Sequence, residues 1–144
     1  LAEIMLQEGV RRITHWSRPL GTLPCVPLDT PPERNAELLS RGERFVLVTH
    51  PHEASRIVGY VDVARWILTP DRPLREVTRP LLRILAAERL VTVLRLMYQH
   101  GEKLAIIVDA KDRAQGIVWE KDLRQFYLKG AASRLQDAQM PAAS

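Results

Sequence analysis

Cysteine and long apolar runs are almost absent from this sequence. Cys25 is the single cysteine among 144 residues, so no internal disulfide can form and nothing requires an oxidising compartment. No apolar run approaches the roughly 18 residues that span a bilayer, and the first residues show no signal-peptide pattern. We therefore expect a soluble domain in a reducing cytoplasm, with Cys25 as a small buried hydrophobic side chain.

The sequence also lacks the motifs that mark common catalytic sites. It has no nucleophile elbow, no phosphate-binding loop, no zinc-ligand cysteine pattern and no paired-carboxylate signature. His50, His52 and Glu53 form an H-x-H-E segment, but the spacing places no further ligand beside them and such a loop is usually solvated. We expect neither an enzyme nor a metal site.

A strong excess of one charge is missing too. The chain has 21 Lys and Arg against 17 Asp and Glu, a net charge of +4, with both signs interspersed. This is a weak basis for binding nucleic acid, so we expect no nucleic acid partner and keep a nucleic-acid-binding module as a third option. The length and the 46% hydrophobic content fit one compact domain with a real core.

Apolar spacing and turn residues predict a mixed order of helices and strands in the first half. In chain order the predicted elements are a packing helix over Ala2–Ile13, a proline-rich lead-in with one short strand over Trp16–Pro32, a helix over Pro32–Ser40 capped by Asp29 or Thr30, a strand over Phe45–Thr49, a polar loop over His50–Arg56, a strand over Ile57–Val61, and a helix capped by Asp62 that reaches Leu68.

The same order returns in the second half after another proline-containing lead-in, Thr69–Arg79. The predicted elements are a helix over Ala87–His100 that stops at Gly101, strands over Leu104–Val108 and Gly116–Trp119, and a helix over Glu120–Leu128. From Lys129 the composition shifts to Ala, Ser and Gln, which predicts a frayed tail.

Short sequence matches indicate that the second half repeats the first. The matching pairs are Gly42-Glu43-Arg44 with Gly101-Glu102-Lys103, Arg18-Pro19-Leu20 with Arg79-Pro80-Leu81, and Gly59 with Gly116. The members of all three pairs are separated by nearly the same distance along the chain, and each pair has the same predicted structural context. Together they predict a tandem repeat.

The end of the second repeat resembles the motif of CBS repeats. GIVWEKDL, at 116–123, is similar to the family pattern of a glycine, two apolar residues, Ser or Thr, two variable residues and Asp, followed by a helix. GYVDVARWI, at 59–67, keeps the glycine and the apolar strand. Over Leu20–Leu128 the chain therefore resembles a tandem CBS pair, or Bateman module. The resemblance implies an α+β fold of two pseudo-symmetric repeats, each a small β-sheet packed against two α-helices.

On this basis the predicted domains are an N-terminal packing helix and lead-in at 1–17, the first CBS repeat at 18–70, the second at 71–129, and a flexible tail at 130–144. MLQEGV, LDTP and AIIVDAKDRAQGIVWEKDL are similar to the cytoplasmic CBS module of the CorC and CNNM class of magnesium and cobalt transport proteins, which are hemolysin-related. This narrower resemblance implies a preceding membrane transporter domain, a cytoplasmic position at the inner face of the membrane, and a homodimer formed through the CBS helices.

The resemblance also implies a site for an adenine nucleotide, and the residues can be tested against that ligand. A ribose requires a carboxylate for its hydroxyls, which Asp122 can supply through charge-assisted hydrogen bonds. Leu82, Ile84 and Ala105 would form the apolar slot for the base, where backbone groups can also contact the adenine edge. The alternative is that Asp122 only stabilises the N-terminus of a helix.

Two positions depart from the family pattern. Trp119 stands where Ser or Thr would contact phosphate, and its ring would either stack on a base or block the cleft. In the first repeat the positions equivalent to Trp119 and Asp122 are Asp62 and Arg65, so a cation replaces the ribose carboxylate. We expect that the first cleft does not hold a ribose in the family manner, although Arg65 can still contact a phosphate.

These observations predict a regulatory function. An adenine nucleotide (ATP, ADP or AMP, with or without Mg²⁺) would bind the module and control an attached transporter of the CorC and CNNM type. The alternative is a ligand-free CBS dimerisation scaffold, which the altered residues Trp119 and Arg65 favour.

Overall fold

Each half of the chain folds into a short mixed sheet with helices beside it. The computed structural model describes residues 13–139, with side chains to Lys129. The chain divides into two compact units, one formed by Leu20–Leu81 and the other by the residues before Leu20 together with those from Leu82 onward. The combination of helices with two small sheets confirms the predicted α+β class. The predicted helix over Ala2–Ile13 lies outside the described residues, apart from Ile13.

The unit Leu20–Leu81, called the middle unit below, contains a four-stranded sheet. Its elements are β1 Cys25–Pro27, α1 Asn35–Ser40, β2 Phe45–His50, β3 Glu53–Asp62, α2 Val63–Trp66, α3 Leu74–Val77 and β4 Arg79–Pro80, with 3-10 turns at Leu20–Thr22 and Pro32–Arg34. The strand order is β1-β2-β3-β4. β1 is parallel to β2, and the other neighbours are antiparallel.

The other unit, called the outer unit below, contains a three-stranded sheet. Its elements are a 3-10 turn at Ile13–Trp16, β5 Leu82–Leu85, α4 Leu90–His100, β6 Leu104–Val108, β7 Ala114–Trp119 and α5 Glu120–Gln139. The strand order is β5-β6-β7, with β5 parallel and β7 antiparallel to β6. No helix within 13–139 is long and apolar enough to cross a membrane.

Apolar runs form the inner strands because these strands are covered on both faces. Every residue of β6 is buried, as are the first five of β2, and both are nearly continuous in Val, Ile, Leu and Phe. α4 covers the sheet of the outer unit with Leu90, Val93 and Met97, which are almost fully buried. As predicted, α4 stops at Gly101, which takes the left-handed conformation with φ 65°.

The strand registers confirm the repeat. Phe45 pairs with Asp62 across β2 and β3, and Leu104 pairs with Trp119 at the equivalent place across β6 and β7. The segment before each repeat's next strand pairs in the same way, since Arg79 lies opposite Tyr60 of β3 in the middle unit. Arg18 lies opposite Ile117 in the outer unit. The two halves therefore share their backbone arrangement as well as their sequence matches.

Several predicted boundaries were wrong for local reasons. The loop over His50–Arg56 is mostly strand, because β3 starts at Glu53 and pairs with β2 from His50 onward. The helix expected from Ala87 begins at Leu90, since Glu88 N–H instead donates to the carbonyl of Leu85. The last helix continues beyond Leu128 to Gln139.

The predicted capping and burial of three small side chains also failed. Thr30 Oγ1 donates to the carbonyl of Pro27 at 2.6 Å rather than capping a helix. The N-cap of the 3-10 turn Pro32–Arg34 is Pro31. Asp62 occupies the N-cap of α2 without a side-chain capping hydrogen bond. Cys25 is exposed because β1 alternates and directs Val26 toward the core instead.

Close backbone approach requires glycine at position 59 and leaves little room for a side chain at the equivalent position 116. A Cβ at Gly59 would lie 2.5 Å from the carbonyl oxygen of Arg79 and 2.6 Å from Cγ2 of Thr78. At Gly116 the same atom would lie 3.2 Å from the carbonyl oxygen of Arg18. Gly59 thus lets its lead-in approach β3, and Gly116 lets the other lead-in approach β7.

Gly59→Ala should therefore destabilise the protein by about 2 kcal/mol, because the added methyl meets rigid backbone and β4 must move away. Gly116→Ala should cost less, since its contacts are longer. Chemical denaturation measures both, with Gly21→Ala as the control because no atom lies within 4 Å of its added Cβ. Equal stability of all three variants would contradict the close approach.

Candidate functional site

The carboxylate predicted for ribose binding lies in the first turn of α5. That helix begins at Glu120, directly after β7, and Glu120 N–H donates to the carbonyl of Lys103 at 2.9 Å. Asp122 is therefore placed near the positive end of the helix dipole, where a negative charge is favoured. Its side chain is 20% exposed, so solvent reaches the carboxylate.

Arg18 binds this carboxylate with two hydrogen bonds. Its Nε donates to Oδ2 of Asp122 at 2.8 Å, and its Nη2 donates to Oδ1 at 2.9 Å. This is the paired geometry in which a guanidinium matches a carboxylate best. The Arg18 side chain is 42% exposed, which makes it the more accessible partner of the ion pair.

The backbone of Arg18 is held independently of its side chain. Its N–H donates to the carbonyl of Ile117 at 2.7 Å, and its carbonyl accepts from Ile117 N–H at 2.9 Å. Trp16, two residues earlier, lies against Phe126 of α5 with ring centroids 3.9 Å apart. The lead-in is therefore fastened to β7 and to α5, and the Arg18 side chain extends from a fixed backbone.

Trp119 lies beneath the same guanidinium. The Cζ atom of Arg18 is 4.0 Å from the centroid of the Trp119 ring, and Trp119 is only 9% exposed. A cation stacked on an indole face at this distance is favourable by roughly 0.5 to 1 kcal/mol. Arg18 thus contacts both Asp122 and Trp119, and we call these three residues the arginine clamp.

The three residues predicted for the adenine slot lie on the neighbouring strands. Leu82 pairs with Ala105 across the parallel strands β5 and β6, and Ile84 follows on the same face of β5. Ile84 and Ala105 are 4% and 0% exposed within the core of the outer unit, whereas Leu82 is half-buried at its edge. Leu82 is thus the member of the three that retains accessible surface.

Arg65 lies in the middle unit, in α2, and is exposed. The strand registers agree with its assignment as the equivalent of Asp122, because Asp62 occupies the position of Trp119. The structure therefore brings together Asp122 and Trp119, and pairs Leu82 with Ala105. Arg65 belongs to the corresponding position of the other repeat.

The histidine segment shows no metal-binding arrangement within the described residues. The rings of His50 and His52 are 6.0 Å apart, and His52 N–H donates to Nδ1 of His50 at 3.1 Å. No group of three His, Cys, Asp or Glu within 13–139 is placed to hold a metal ion.

Arg18 is the residue that sequence reasoning missed as a site component. The sequence does carry a signal at this position, since Arg18-Pro19-Leu20 recurs as Arg79-Pro80-Leu81, but the recurrence does not identify the partner of the Arg18 side chain. The ion pair joins residues 104 positions apart, and no local pattern predicts a contact at that separation.

Comparisons with known proteins assign the fold. No protein-family model matches the sequence, and no curated protein matches it either. Among solved structures, the CBS domain of a bacterial CNNM/CorC family Mg²⁺ transporter in complex with ATP is similar, at 15% identity and a TM-score of 0.74, covering 88% of this chain and 94% of that one. The chain has the fold of a CBS-domain pair.

Two further CBS structures agree with this assignment. One is a hemolysin-like protein containing a CBS domain from Oenococcus oeni PSU, with 16% identity and a TM-score of 0.69 over 86% of this chain and 95% of that one. The other is a CBS-domain pair with bound AMP from Klebsiella pneumoniae, with 10% identity and a TM-score of 0.68 over 81% and 98%. The predicted resemblance to CBS modules of this class is confirmed.

In the outer unit the arginine clamp should couple Arg18 to Asp122 by about 1 kcal/mol, the upper end for accessible ion pairs, because the contact is paired and only 20% of the Asp122 side chain is exposed. Chemical denaturation of Arg18→Ala, Asp122→Ala and the double variant measures this coupling. The cycle removes the separate effect of Asp122 on the α5 dipole, which appears in both backgrounds. Strictly additive losses would show that the pair contributes nothing in solution.

Proposed function

We propose that this chain is a regulatory CBS module that binds an adenine nucleotide and controls an attached divalent-cation transporter of the CorC and CNNM type. The observation that carries the proposal is the position of Asp122, a solvent-accessible carboxylate in the first turn of the helix that follows β7. The fold supports it, because similar CBS structures hold ATP in one case and AMP in another. ATP, ADP and AMP are the candidate ligands, with or without Mg²⁺.

The chemistry of the ligand fits the residues of the outer unit. The two oxygens of Asp122 can accept hydrogen bonds from both ribose hydroxyls, each worth roughly 1.5 to 3 kcal/mol when the acceptor is charged. Leu82 supplies accessible apolar surface beside the buried Ala105 and Ile84. β5 is the edge strand of its sheet, so alternate backbone groups face away from β6 and can meet the edge of an adenine.

Regulation requires that the nucleotide bind two states of the module with different affinity. In the proposed arrangement the transporter domain precedes the CBS pair, and the module lies in the cytoplasm at the inner face of the membrane. Nucleotide binding then shifts the module toward one state, and the transporter senses that shift. Arg65 of the first repeat offers a cation for phosphate rather than a carboxylate for ribose.

The alternative function is a ligand-free dimerisation scaffold. The arginine clamp favours it, because Arg18 occupies both oxygens of Asp122 and covers the face of Trp119. Because Arg18 already neutralises Asp122 and stacks on Trp119, the folded protein does not depend on a bound nucleotide to stabilise these two side chains.

Calorimetric titration with ATP, ADP and AMP, with and without Mg²⁺, separates the two functions. We expect binding by the wild-type protein and a loss of about tenfold in affinity for Asp122→Asn, since the amide removes the charge from the hydrogen bonds to ribose. Asp112→Asn is the matched control, because Asp112 is also paired with an arginine of the outer unit, Arg83, at 2.7 Å.

Absence of both heat and thermal stabilisation with every nucleotide would support the scaffold instead. Salt-dependent binding to oligonucleotides would point to the nucleic-acid-binding option.

The proposed module is a homodimer formed through its helices. α4 and the start of α5 enclose a surface groove of about 340 Å³ in the outer unit, lined by Leu94, Tyr98 and Tyr127 among others. Tyr98 is 83% exposed, which is high for an aromatic side chain, whereas Leu90, Val93 and Met97 of the same helix α4 are buried in the core. Arg124 and Glu120, which also line the groove, form an ion pair at 3.7 Å within α5, so these two side chains together carry no net charge that would repel a second copy.

Sedimentation analysis should therefore find a dimer that Tyr98→Glu converts to a monomer, because the new charge would be buried in the interface. His52→Glu adds a carboxylate at the tip of the β2–β3 hairpin and should leave the dimer intact. A wild-type monomer at all concentrations, or equal dissociation of both variants, would rule out this interface.

A further inference from the structure

The side chain of Arg18 occupies the groups that a nucleoside would use. Its two donors fill both oxygens of Asp122, at 2.8 and 2.9 Å, which are the acceptors that a ribose diol needs. Its plane covers the face of Trp119 at 4.0 Å, which is the surface on which a base could stack. A ribose diol that pairs side by side with both oxygens in the same way therefore has to displace the Arg18 side chain.

The structure allows that movement at small cost. The backbone of Arg18 keeps its two hydrogen bonds to Ile117 whatever the side chain does, so no strand has to separate. The side chain is 42% exposed, and water can solvate the guanidinium once it leaves the carboxylate. Accessible ion pairs are weak, and this one with its stacking contact should reduce ligand affinity by about fivefold to tenfold.

The displaced group is a guanidinium, and its chemistry decides which ligands regain the affinity that is lost when the Arg18–Asp122 ion pair breaks. A released guanidinium is a cation on a fixed backbone within reach of the site, and its fork of donors matches phosphate as well as carboxylate. A phosphorylated ligand can pair with it, whereas a neutral nucleoside leaves it with water alone. The same side chain would thus oppose one ligand and assist the other.

We propose that Arg18 is a displaceable counter-ion of Asp122 that makes the site selective for phosphorylated adenosine over adenosine. This inference rests on the proposed nucleotide-binding function. Without ligand, Arg18 neutralises Asp122 and covers Trp119. With AMP, ribose replaces the guanidinium on Asp122 and the guanidinium pairs with the phosphate.

The test compares adenosine with AMP by calorimetric titration of the wild-type protein, Arg18→Gln and Arg18→Lys. For Arg18→Gln, adenosine should bind about fivefold tighter because the competitor for Asp122 is gone, whereas AMP should gain nothing because its phosphate partner is gone too. Arg18→Lys should keep the preference for AMP while binding adenosine more tightly, since an ammonium retains the charge without the paired fork.

Arg83→Gln is the matched control. Arg83 forms an accessible ion pair of similar length with Asp112 in the same unit, and it projects from β5 on the face opposite Leu82 and Ile84. Its ratio of AMP to adenosine affinity should equal that of the wild-type protein. Circular dichroism and melting temperature check that each variant folds.

The possible outcomes distinguish failure of the proposed role of Arg18 from failure of the proposed nucleotide-binding function. AMP binding that depends on Asp122, with the same AMP to adenosine ratio in Arg18→Gln as in Arg83→Gln, overturns the role of Arg18 and leaves the proposed function standing. Adenosine binding that stays undetectable in Arg18→Gln also overturns it. Absence of nucleotide binding by the wild-type protein and both Arg18 variants overturns the inference and the proposed function together.

Discussion

Much of this structure depends on the close approach of a lead-in segment to the second strand of a hairpin, which is β3 in the middle unit and β7 in the outer unit. In the outer unit, Arg18 exchanges two backbone hydrogen bonds with Ile117 beside Gly116. In the middle unit, Arg79 lies opposite Tyr60 beside Gly59. The pairing excludes a side chain at position 59 and crowds one at the equivalent position 116, which accounts for glycine at both places. In the outer unit the same pairing also holds the Arg18 side chain over the start of α5.

The architecture was predictable because its signals are local and occur twice. The bounds of β6 agree exactly with the prediction from its apolar run, and Gly101 ends α4 where a left-handed residue was expected. The repeat added long-range information, since it placed Trp119 and Asp62 at equivalent positions before any strand pairing was known. Backbone pairing then confirmed that equivalence.

The candidate site was only partly predictable, since its contacts join distant parts of the chain. Asp122 was found because it follows a strand and opens a helix, which is a local pattern. Arg18 was not, because its partner is 104 residues away and its own neighbourhood is an irregular lead-in. The failed cap at Thr30 shows a related limit, since its hydroxyl donates to the carbonyl of Pro27 instead and sequence does not select among such nearby backbone partners.

The discontinuous outer unit has a consequence for how the protein is made. The middle unit is a continuous segment, Leu20–Leu81, so it can fold as soon as that segment leaves the ribosome. The lead-in around Arg18 is synthesised earlier, yet its strand partner lies in β7 near the other end of the described chain. It cannot pair with that strand until β7 has been synthesised. The arginine clamp can therefore form only after the middle unit has been synthesised, and it closes a loop that contains that whole unit.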